Sequence, residues 1–456
     1  MSAEPDANDP FDTTAPPPKR APRYQLTLTA ALGEVPAAEW DALLDSDDAP
    51  LLAHGYLEAL EHSGCVGGAS GFTPAHLLLR DERGALCAAA PAYLKTHSEG
   101  EWVYDLPWAQ WAEQLGGAYY PKLVLAVPYN PVSGRRVLTP PGLPAEERAA
   151  RVGALLRGAR RLCGQLQVSS LHALFPRAEE LPLLAAAGLL PRRQEQYHFH
   201  NRGYRSFDDF LAALRHNRRR TIKKERAALR EAGITVRTHR GLQGHVPGGA
   251  STVAADLRDL EAGPFSLEEL WQVQALYEGT SRRYTGDPPY LSRAHFQRCA
   301  EQLGDRVELV LARDRAGALL AGAFNLRGDT RLYGRHWGEA THIPGLHFEV
   351  CLYHGIERCI RLGMASFEPG HGGEQKLLRG FAPVYTYSAH GMLDLRLQRA
   401  VSKYLALEAP LIEEALREAQ ARCPLKELPD PAEPASLQRA EEEAHRPHAS
   451  PESDSV

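Results

Sequence analysis

A glycine-rich turn near the C-terminal end of the chain gathers side chains that could bind an anion and move a proton. The segment from Phe367 to Gly380 reads FEPGHGGEQKLLRG and contains the ionisable residues Glu368, His371, Glu374, Lys376 and Arg379. Backbone N–H groups freed at such a turn, beside positive charge, can hold a phosphate or an oxyanion. A carboxylate or histidine beside it could take a proton from an amine. The pattern therefore favours acyl transfer from a phosphate-bearing donor.

The turn itself is the predicted donor site. Its glycines allow the backbone to approach a ligand closely. Lys376 and Arg379 follow at helical spacing and could hold a pyrophosphate or a tRNA phosphate, while Glu374 could complement a helix dipole. The alternative is an ordinary strand-to-helix turn with solvated charges. The predicted donor-binding residues are Gly370, Gly372, Gly373, Glu374, Lys376 and Arg379.

A predicted helix over Leu346–Leu362 precedes this turn and supplies further proton-transfer candidates. Glu349 falls at the edge of the apolar side, where a carboxylate is either partnered or next to a cavity. A raised pKa would suit a general base, and a structural ion pair is the alternative. His347 lies on the neighbouring stripe, where a cap or surface role is the alternative. The predicted catalytic residues are Glu349, His347, Glu368 and His371.

Two strands could form the walls of an acceptor groove. Strict alternation along Thr330–Trp337 places Tyr333, Arg335 and Trp337 on one side. Alternation along Tyr93–Glu101 likewise places Lys95 and His97 on one face. An acceptor that carries negative charge could contact these residues, whereas the alternatives are an aromatic wall packed on a sheet and a surface lysine.

A basic segment, Arg215–Arg226, reads RHNRRRTIKKER. On a helix its charges occupy nearly every face, which favours contact with a polyanion over an ordinary solvated surface. The polyanion could be tRNA, a nucleotide-linked precursor or an anionic membrane surface. The predicted polyanion-binding residues are Arg218, Arg219, Arg220, Lys223 and Lys224.

The elements that must position these groups occur in two similar series of helices, an antiparallel hairpin and further helices and strands. Turn signals at Asp81–Gly84 and Asp314–Gly317 mark the two hairpins. The pattern predicts an α/β (α+β) fold with two tandem units of mixed, mainly antiparallel sheet flanked by helices. We place the units at residues 24–198 and 199–424, between tails at 1–23 and 425–456 that lack apolar periodicity.

Composition narrows the class of protein. Of 456 residues, 43% are hydrophobic and 24% are charged, as in a soluble globular protein, and the net charge of −5 gives no general affinity for nucleic acid. The N-terminus has no apolar signal segment, and no apolar run is long enough to cross a membrane. The seven cysteines show no metal spacing. We therefore expect reduced thiols, no bound metal and a cytoplasmic location.

Five further segments resemble one bacterial family. They are Tyr93–Glu101, Tyr119–Leu123, Tyr333–Trp337, His347–Cys351 and Lys376–Gly380. Together they resemble the FemAB-related N-acyltransferases, also labelled peptidoglycan biosynthesis or recognition proteins, from about Leu52 to Glu408. The turn Pro369–Lys376 departs from the family pattern. The segment Gly241–Gly263 is longer than usual, which suggests a lid or spacer.

The resemblance implies a pair of GNAT-like acyltransferase units. It implies direct attack of an amine on an acyl donor, without a permanently bound cofactor. Acyl-CoA is the expected co-substrate. One alternative is a Fem-type transferase that uses aminoacyl-tRNA and acts on a peptidoglycan precursor, because Fem-type proteins carry a similar basic helix. The other alternative is a non-catalytic binder of cell-wall precursor or nucleic acid.

Overall fold

The computed structural model describes residues 23–245 and 257–428. In the first part of the chain the strands are β1 (Gln25–Thr29), β2 (Phe72–Pro74), β3 (His76–Arg80), β4 (Leu86–Ala90), β5 (Ala92–Lys95), β6 (Lys122–Leu125), β7 (Ser170–Leu174) and β8 (Leu190–His200). The helices there are α1 (Ala37–Asp41), α2 (His54–His62), α3 (Leu106–Gln114), α4 (Ala145–Gln165) and α5 (Leu181–Ala186).

The second part of the chain repeats the mixture of elements. Its strands are β9 (Thr235–Arg240), β10 (Glu261–Ala262), β11 (Val307–Arg313), β12 (Leu319–Arg327), β13 (Arg331–Glu339), β14 (Ser366–Glu368) and β15 (Ala382–Met392). Its helices are α6 (Phe207–Ala213), α7 (His216–Glu231), α8 (Leu267–Thr285), α9 (Arg293–Leu303), α10 (Leu346–Phe348), α11 (His354–Arg361), α12 (Glu374–Leu377) and α13 (Leu395–Arg422).

Most of these strands join one sheet. Within the described residues its order is β10-β9-β11-β12-β13-β14-β8-β15-β7-β6-β5-β2, and β1, β3 and β4 form a second, three-stranded sheet. Most neighbours run antiparallel, and the two predicted hairpins, β3–β4 and β11–β12, are confirmed. The predicted mixed α/β fold with mainly antiparallel sheets flanked by helices is therefore confirmed, and its division into two tandem GNAT-like units stays a prediction.

The pairing of β13 with β14 opens a gap in the sheet. These two strands run parallel but pair only over Arg331–Tyr333 and Ser366–Glu368. Beyond that point β13 continues to Glu339 alongside β12, whereas β14 ends and the chain enters the turn Pro369–Gly373. Because no described strand pairs with this edge of the second half of β13, the space between the strand and the turn is open to a ligand.

Helices cover both faces of this region. On one face α8 lies so close to β13 that a Cβ on Gly338 would stand 2.1 Å from the backbone of Leu276. A capping box between Ser266 and Glu269 fixes where α8 begins. On the other face, Leu346 and Val350 pack against the small residues of β12. The sheet around the gap is thus held rigidly on both sides.

Two local irregularities change which side chains point into the gap. In β13, Phe324 pairs with His336 and Asn325 pairs with Gly334, so Arg335 is an extra, bulged residue. Between α10 and α11, a π-helical turn spans Glu349–Tyr353, where the sequence pattern predicts one regular helix. Both irregularities rotate the side chains that follow them.

The predicted unit boundary near residue 198 falls inside β8, which pairs with β14 and β15, and it stays a prediction. The long helix α13 packs through Leu397, Val401 and Leu405 against Trp108 of α3. The tail at 1–22, residues 246–256 of the predicted insertion and residues 429–456 lie outside the described residues. No helix in the described ranges is long and apolar enough to cross a membrane.

Candidate functional site

The gap beside β13 forms a cleft of about 290 Å³. We call it the β13 cleft. Its walls come from β12, β13, the π-helical turn and the glycine-rich turn, and its lining residues are Ala323, Asn325, Gly334, Arg335, His336, Trp337, His347, Cys351, Leu352, Pro369, His371, Gly372, Gly373 and Lys376. Among these described residues there are two cations and no carboxylate, so the cleft favours an anionic ligand.

Lys376 is a half-buried cation at the mouth of the glycine-rich turn. Its Nζ donates hydrogen bonds to the carbonyl oxygens of Gly370 at 2.6 Å and His371 at 3.1 Å. In the described ranges no carboxylate pairs with it. Burial, followed by repulsion from Arg335, lowers the pKa of Lys376 to about 8. An ammonium group held by carbonyls alone keeps its charge available for a phosphate or an oxyanion.

Arg335 is the second cation of the cleft, and its guanidinium is poorly satisfied. Nη2 lies 3.5 Å from the carbonyl oxygen of Tyr129, a weak contact. Nε and Nη1 are buried and have no hydrogen-bond partner among the described residues. Burying donors of a charged group without partners is costly, because their hydration is lost and not replaced. The unpaired donors make Arg335 a candidate for contact with an acidic ligand.

Two neutral histidines lie beside these cations. His347 packs edge-on against Trp337 with ring centroids 4.2 Å apart. Burial, then the charges of Lys376 and Arg379, lowers the pKa of His347 to about 4. Burial and Lys376 also lower the pKa of His371. Nδ1 of each ring is buried without a partner in the described part of the chain. That nitrogen is therefore available to accept a proton.

The glycine-rich turn owes its shape to left-handed backbone conformations. Gly370, Gly372 and Gly373 have φ values of +89°, +71° and +94°. Side-chain-bearing residues rarely adopt such conformations, so these glycines let the chain fold back over the ammonium group of Lys376. The turn is open to the cleft through Gly372 and Gly373, and it is not sealed inside the protein.

The other two charged residues of the predicted donor site lie outside the cleft. Arg379 is buried, donates to Glu225 at 2.9 Å and has its guanidinium carbon 3.2 Å from the centre of the Phe348 ring. Glu374 pairs with Arg422 at the end of α13. Each therefore connects the turn to neighbouring helices, and of the two predicted donor cations only Lys376 lines the cleft.

Glu349 lies behind the cleft, in an ion-pair network. It accepts hydrogen bonds from both Nε and Nη2 of Arg226 at 2.9–3.1 Å, and Arg226 also pairs with Glu357 at 2.7 Å. Burial raises the pKa of Glu349, and Arg226 opposes that shift. The π-helical turn directs this carboxylate toward α7, which favours the structural alternative over a general base.

We expect Glu349→Gln to lower stability and leave catalysis nearly intact. The substitution removes one charge from a partly buried pair, which should cost about 2–3 kcal/mol of unfolding free energy. If Glu349 does not touch substrate, kcat should change by less than about twofold. Urea unfolding measures the change in unfolding free energy, and steady-state kinetics measure the change in kcat. A loss of kcat of about a hundredfold with unchanged stability would instead identify Glu349 as the base.

Glu368 ends β14, opposite Tyr333 in the register, and is 2% exposed. Its Oε1 lies 3.5 Å from Nη1 of Arg331, and Oε2 has no partner among the described atoms. Burial raises its pKa, and Arg331 opposes the shift. Glu368 is not among the residues that line the cleft, so a catalytic role would require it to act through a neighbour.

The bulge in β13 divides the predicted acceptor residues. Tyr333 packs in the core under α8, whereas Trp337 lies on the opposite face with His347. Their expected placement on one side was wrong because Arg335 adds a residue between them. Lys95 is fully buried over the Phe72 ring, 3.3 Å from its centre, and neither it nor His97 lines the cleft.

The predicted polyanion-binding residues lie at the start of α7, where Arg220, Lys223 and Lys224 are exposed and Arg218 and Arg219 are half-buried. Lys223 pairs with Asp208 at 3.0 Å, whereas Arg218, Arg219, Arg220 and Lys224 have no carboxylate within 4.0 Å among the described residues. The backbone N–H of Arg215 donates to the carbonyl of Pro424, two residues beyond the Arg422 that pairs with Glu374. This basic surface therefore lies beside the glycine-rich turn.

Several cleft residues were not singled out from the sequence. Ala323, Asn325 and Leu352 line the apolar wall, and His336 packs among Tyr277, Phe296 and Phe324. Cys351 also lines it, but burial raises its thiol pKa far above the usual value, so it is no nucleophile at neutral pH. Ala323, one of three small residues together in the apolar strand β12, was a sign of space in the sequence.

Comparison with known proteins identifies related chains. The model of the FemAB-like family, described as peptidoglycan biosynthesis/recognition, matches residues 31–246 and 250–427. No curated protein sequence matches the chain. Among solved structures, L-PGS from Bacillus licheniformis is 9% identical (83% of this chain, 97% of that chain, TM-score 0.46). FemX is 11% identical (80% and 98%, TM-score 0.45), and a tandem GNAT protein of clavulanic acid biosynthesis is 11% identical (81% and 98%, TM-score 0.38).

Proposed function

Because this chain belongs to the FemAB-like family of peptidoglycan biosynthesis/recognition proteins, we propose that its β13 cleft transfers an acyl group from a phosphate-bearing carrier, acyl-CoA, to an amine. The proposal rests on one observation. Lys376 and Arg335, neither neutralised by a described carboxylate within 4.0 Å, line the same cleft as His347 and His371. Cations bind the carrier, and neutral imidazoles are the form that accepts a proton.

The reaction we propose is direct attack. The amine nitrogen forms a bond to the acyl carbon, and the carbonyl oxygen becomes an oxyanion near the Lys376 ammonium and the N–H groups of the glycine-rich turn. The carbon–sulfur bond then breaks, and the carrier leaves as a thiolate. His347 or His371 accepts the proton that the amine loses. The cationic cleft lowers the pKa of a bound amine and favours its neutral, nucleophilic form, while the same charges lower the pKa of both histidines and so weaken them as bases.

The basic surface on α7 supports a second candidate, a Fem-type transferase that uses aminoacyl-tRNA. Arg218, Arg219, Arg220 and Lys224 are free to meet a polyanion and lie beside the glycine-rich turn. A long phosphate backbone could follow this surface while its acylated end enters the cleft. The acceptor would then be the amine of a peptidoglycan precursor.

Thermal unfolding with a panel of donors separates these candidates. The panel contains acetyl-CoA, longer acyl-CoAs, aminoacyl-tRNA and a UDP-linked precursor. Stabilisation by acyl-CoA that Lys376→Ala abolishes would support the first candidate. Stabilisation by tRNA alone, lost in Arg219→Ala/Arg220→Ala, would support the second. Stabilisation by the precursor together with no response to any of the donors would contradict both and indicate a non-catalytic binder.

Donor affinity should depend on pH through Lys376. Its pKa of about 8 means that the ammonium form, which attracts phosphate, is complete below that pH and is lost above it. From pH 7 to pH 9 the protonated fraction falls about tenfold, so Kd should rise by about that factor. Titration calorimetry at each pH measures the donor Kd. Lys376→Arg is the control, because arginine stays charged over this range and should make Kd nearly independent of pH. A pH-independent Kd in the wild type would contradict this role.

A further inference from the structure

Apolar side chains are exposed together near the middle of α13 and at the start of α3. Leu407 and Leu411, one turn apart on α13, are 73% and 69% exposed. Tyr104 and Leu106, at the start of α3, are each 67% exposed. Large apolar side chains are normally exposed singly, so a group of them indicates a contact surface.

Hydrogen bonds show that the two pairs are neighbours. Arg192 donates to both carboxylate oxygens of Glu408 at 2.7 Å and to the carbonyl of Tyr104 at 3.0 Å. At the other end of α3, Arg396 donates to the carbonyl of Leu115 at 3.3 Å. The two helices therefore run antiparallel side by side, with Leu106 next to the turn of α13 that carries Leu407.

The same exposed face carries positive charge. Arg399 and Lys403 precede Leu407 and Leu411 at four-residue spacing, which places all four on one stripe of the helix. Both cations are exposed, and neither has a carboxylate within 4.0 Å in the described ranges. We call Arg399, Lys403, Leu407 and Leu411 the α13 stripe. The two cations are complementary to a surface with anionic groups on its outside, and the two leucines are complementary to an apolar layer beneath those groups.

We infer that the α13 stripe, with Tyr104 and Leu106, docks the protein on an anionic lipid surface. Leucine and tyrosine side chains enter the boundary between headgroups and acyl chains, and each nearby cation adds about 1 kcal/mol of attraction to anionic lipid. Arg422, where α13 ends, pairs with Glu374 beside the glycine-rich turn, about 16 Å along the helix from Leu411. Docking therefore holds the β13 cleft near the membrane. The inference does not depend on the proposed chemistry.

Vesicle co-sedimentation tests this inference with the full chain. We expect the protein to sediment with vesicles of phosphatidylglycerol and phosphatidylethanolamine and to stay in solution with phosphatidylcholine alone. Leu407→Asp/Leu411→Asp and Arg399→Glu/Lys403→Glu should each weaken binding at least about tenfold. The matched control, Arg219→Glu/Arg220→Glu on α7, should bind like the wild type. Thermal unfolding checks that each variant folds like the wild type.

Three results would overturn the inference. The first is no binding to anionic vesicles. The second is binding that the α7 control abolishes and the leucine variants keep, because the contact would then be the basic surface on α7. The third is a dimer in light scattering that Leu407→Asp/Leu411→Asp dissociates, with no vesicle binding, because the stripe would then join two copies of the chain.

Discussion

Replacing Lys376 with alanine is expected to lower kcat/KM by at least about a hundredfold and to abolish stabilisation by the acyl donor. The ammonium group is held by two carbonyl oxygens, so its charge is free to bind the carrier and the developing oxyanion. Removing one charge-assisted contact costs about 1.5–3 kcal/mol, and removing an oxyanion donor costs about 10²–10³ in rate. Steady-state kinetics and donor titration measure the two effects.

Two controls separate the charge of Lys376 from its packing. Lys376→Arg keeps a cation and should recover part of the donor affinity, although guanidinium cannot reproduce both carbonyl contacts. Lys403→Ala removes an exposed lysine on α13, far from the end of that helix that contacts the glycine-rich turn. It should leave kcat/KM in solution unchanged. If Lys376→Ala retained full donor affinity, the carrier would not bind in the β13 cleft.

Replacing Arg358 with methionine is expected to lower the unfolding free energy by about 3–5 kcal/mol. Arg358 is 1% exposed and bridges two buried carboxylates, with Nε and Nη2 on Glu308 at 2.7–2.9 Å and Nη1 on Glu261 at 2.9 Å. Methionine fills a similar volume but removes the cation that bridges the two buried acids, which keep only the longer contacts of Glu308 with Arg327 (3.3 Å) and of Glu261 with Arg240 (3.6 Å). These two ion pairs tie α11 to β10 and β11.

Chemical unfolding measures this effect against a control on the same helix. Arg361 pairs with Asp259 at 2.8 Å near the surface, so Arg361→Met should cost less than about 1 kcal/mol. Adding Glu308→Gln and Glu261→Gln to Arg358→Met should recover part of the loss, because the buried acids are then neutral. Equal losses for Arg358→Met and Arg361→Met would contradict the account of the buried network.

The sequence predicted the features that depend on local chemistry. Glycines in left-handed conformations are needed only where the chain turns sharply, so the turn at Pro369–Gly373 and Lys376 beyond it could be located from residue types. His347 lies at the site because the helix that carries it follows β13 after a short loop. The hairpins at Asp81–Gly84 and Asp314–Gly317 were predictable for the same reason, since their turn residues set the pairing.

Features that depend on distant partners could not be predicted. The pairing of Glu349 with Arg226 joins residues 123 positions apart, and Arg379 meets Glu225 across 154 positions. The bulge at Arg335 and the π-helical turn at Glu349–Tyr353 have no signature in residue type. The bulge shifts the side chains that follow it, and so strict periodicity wrongly placed Trp337 on the same face as Tyr333.

The most direct test of the central claim is a crystal structure of the protein with the donor that stabilises it in the thermal panel. The account predicts carrier density between the second half of β13 and the turn Pro369–Gly373, with an anionic group on Lys376 or Arg335. Donor bound elsewhere, with the β13 cleft filled only by solvent, would contradict it.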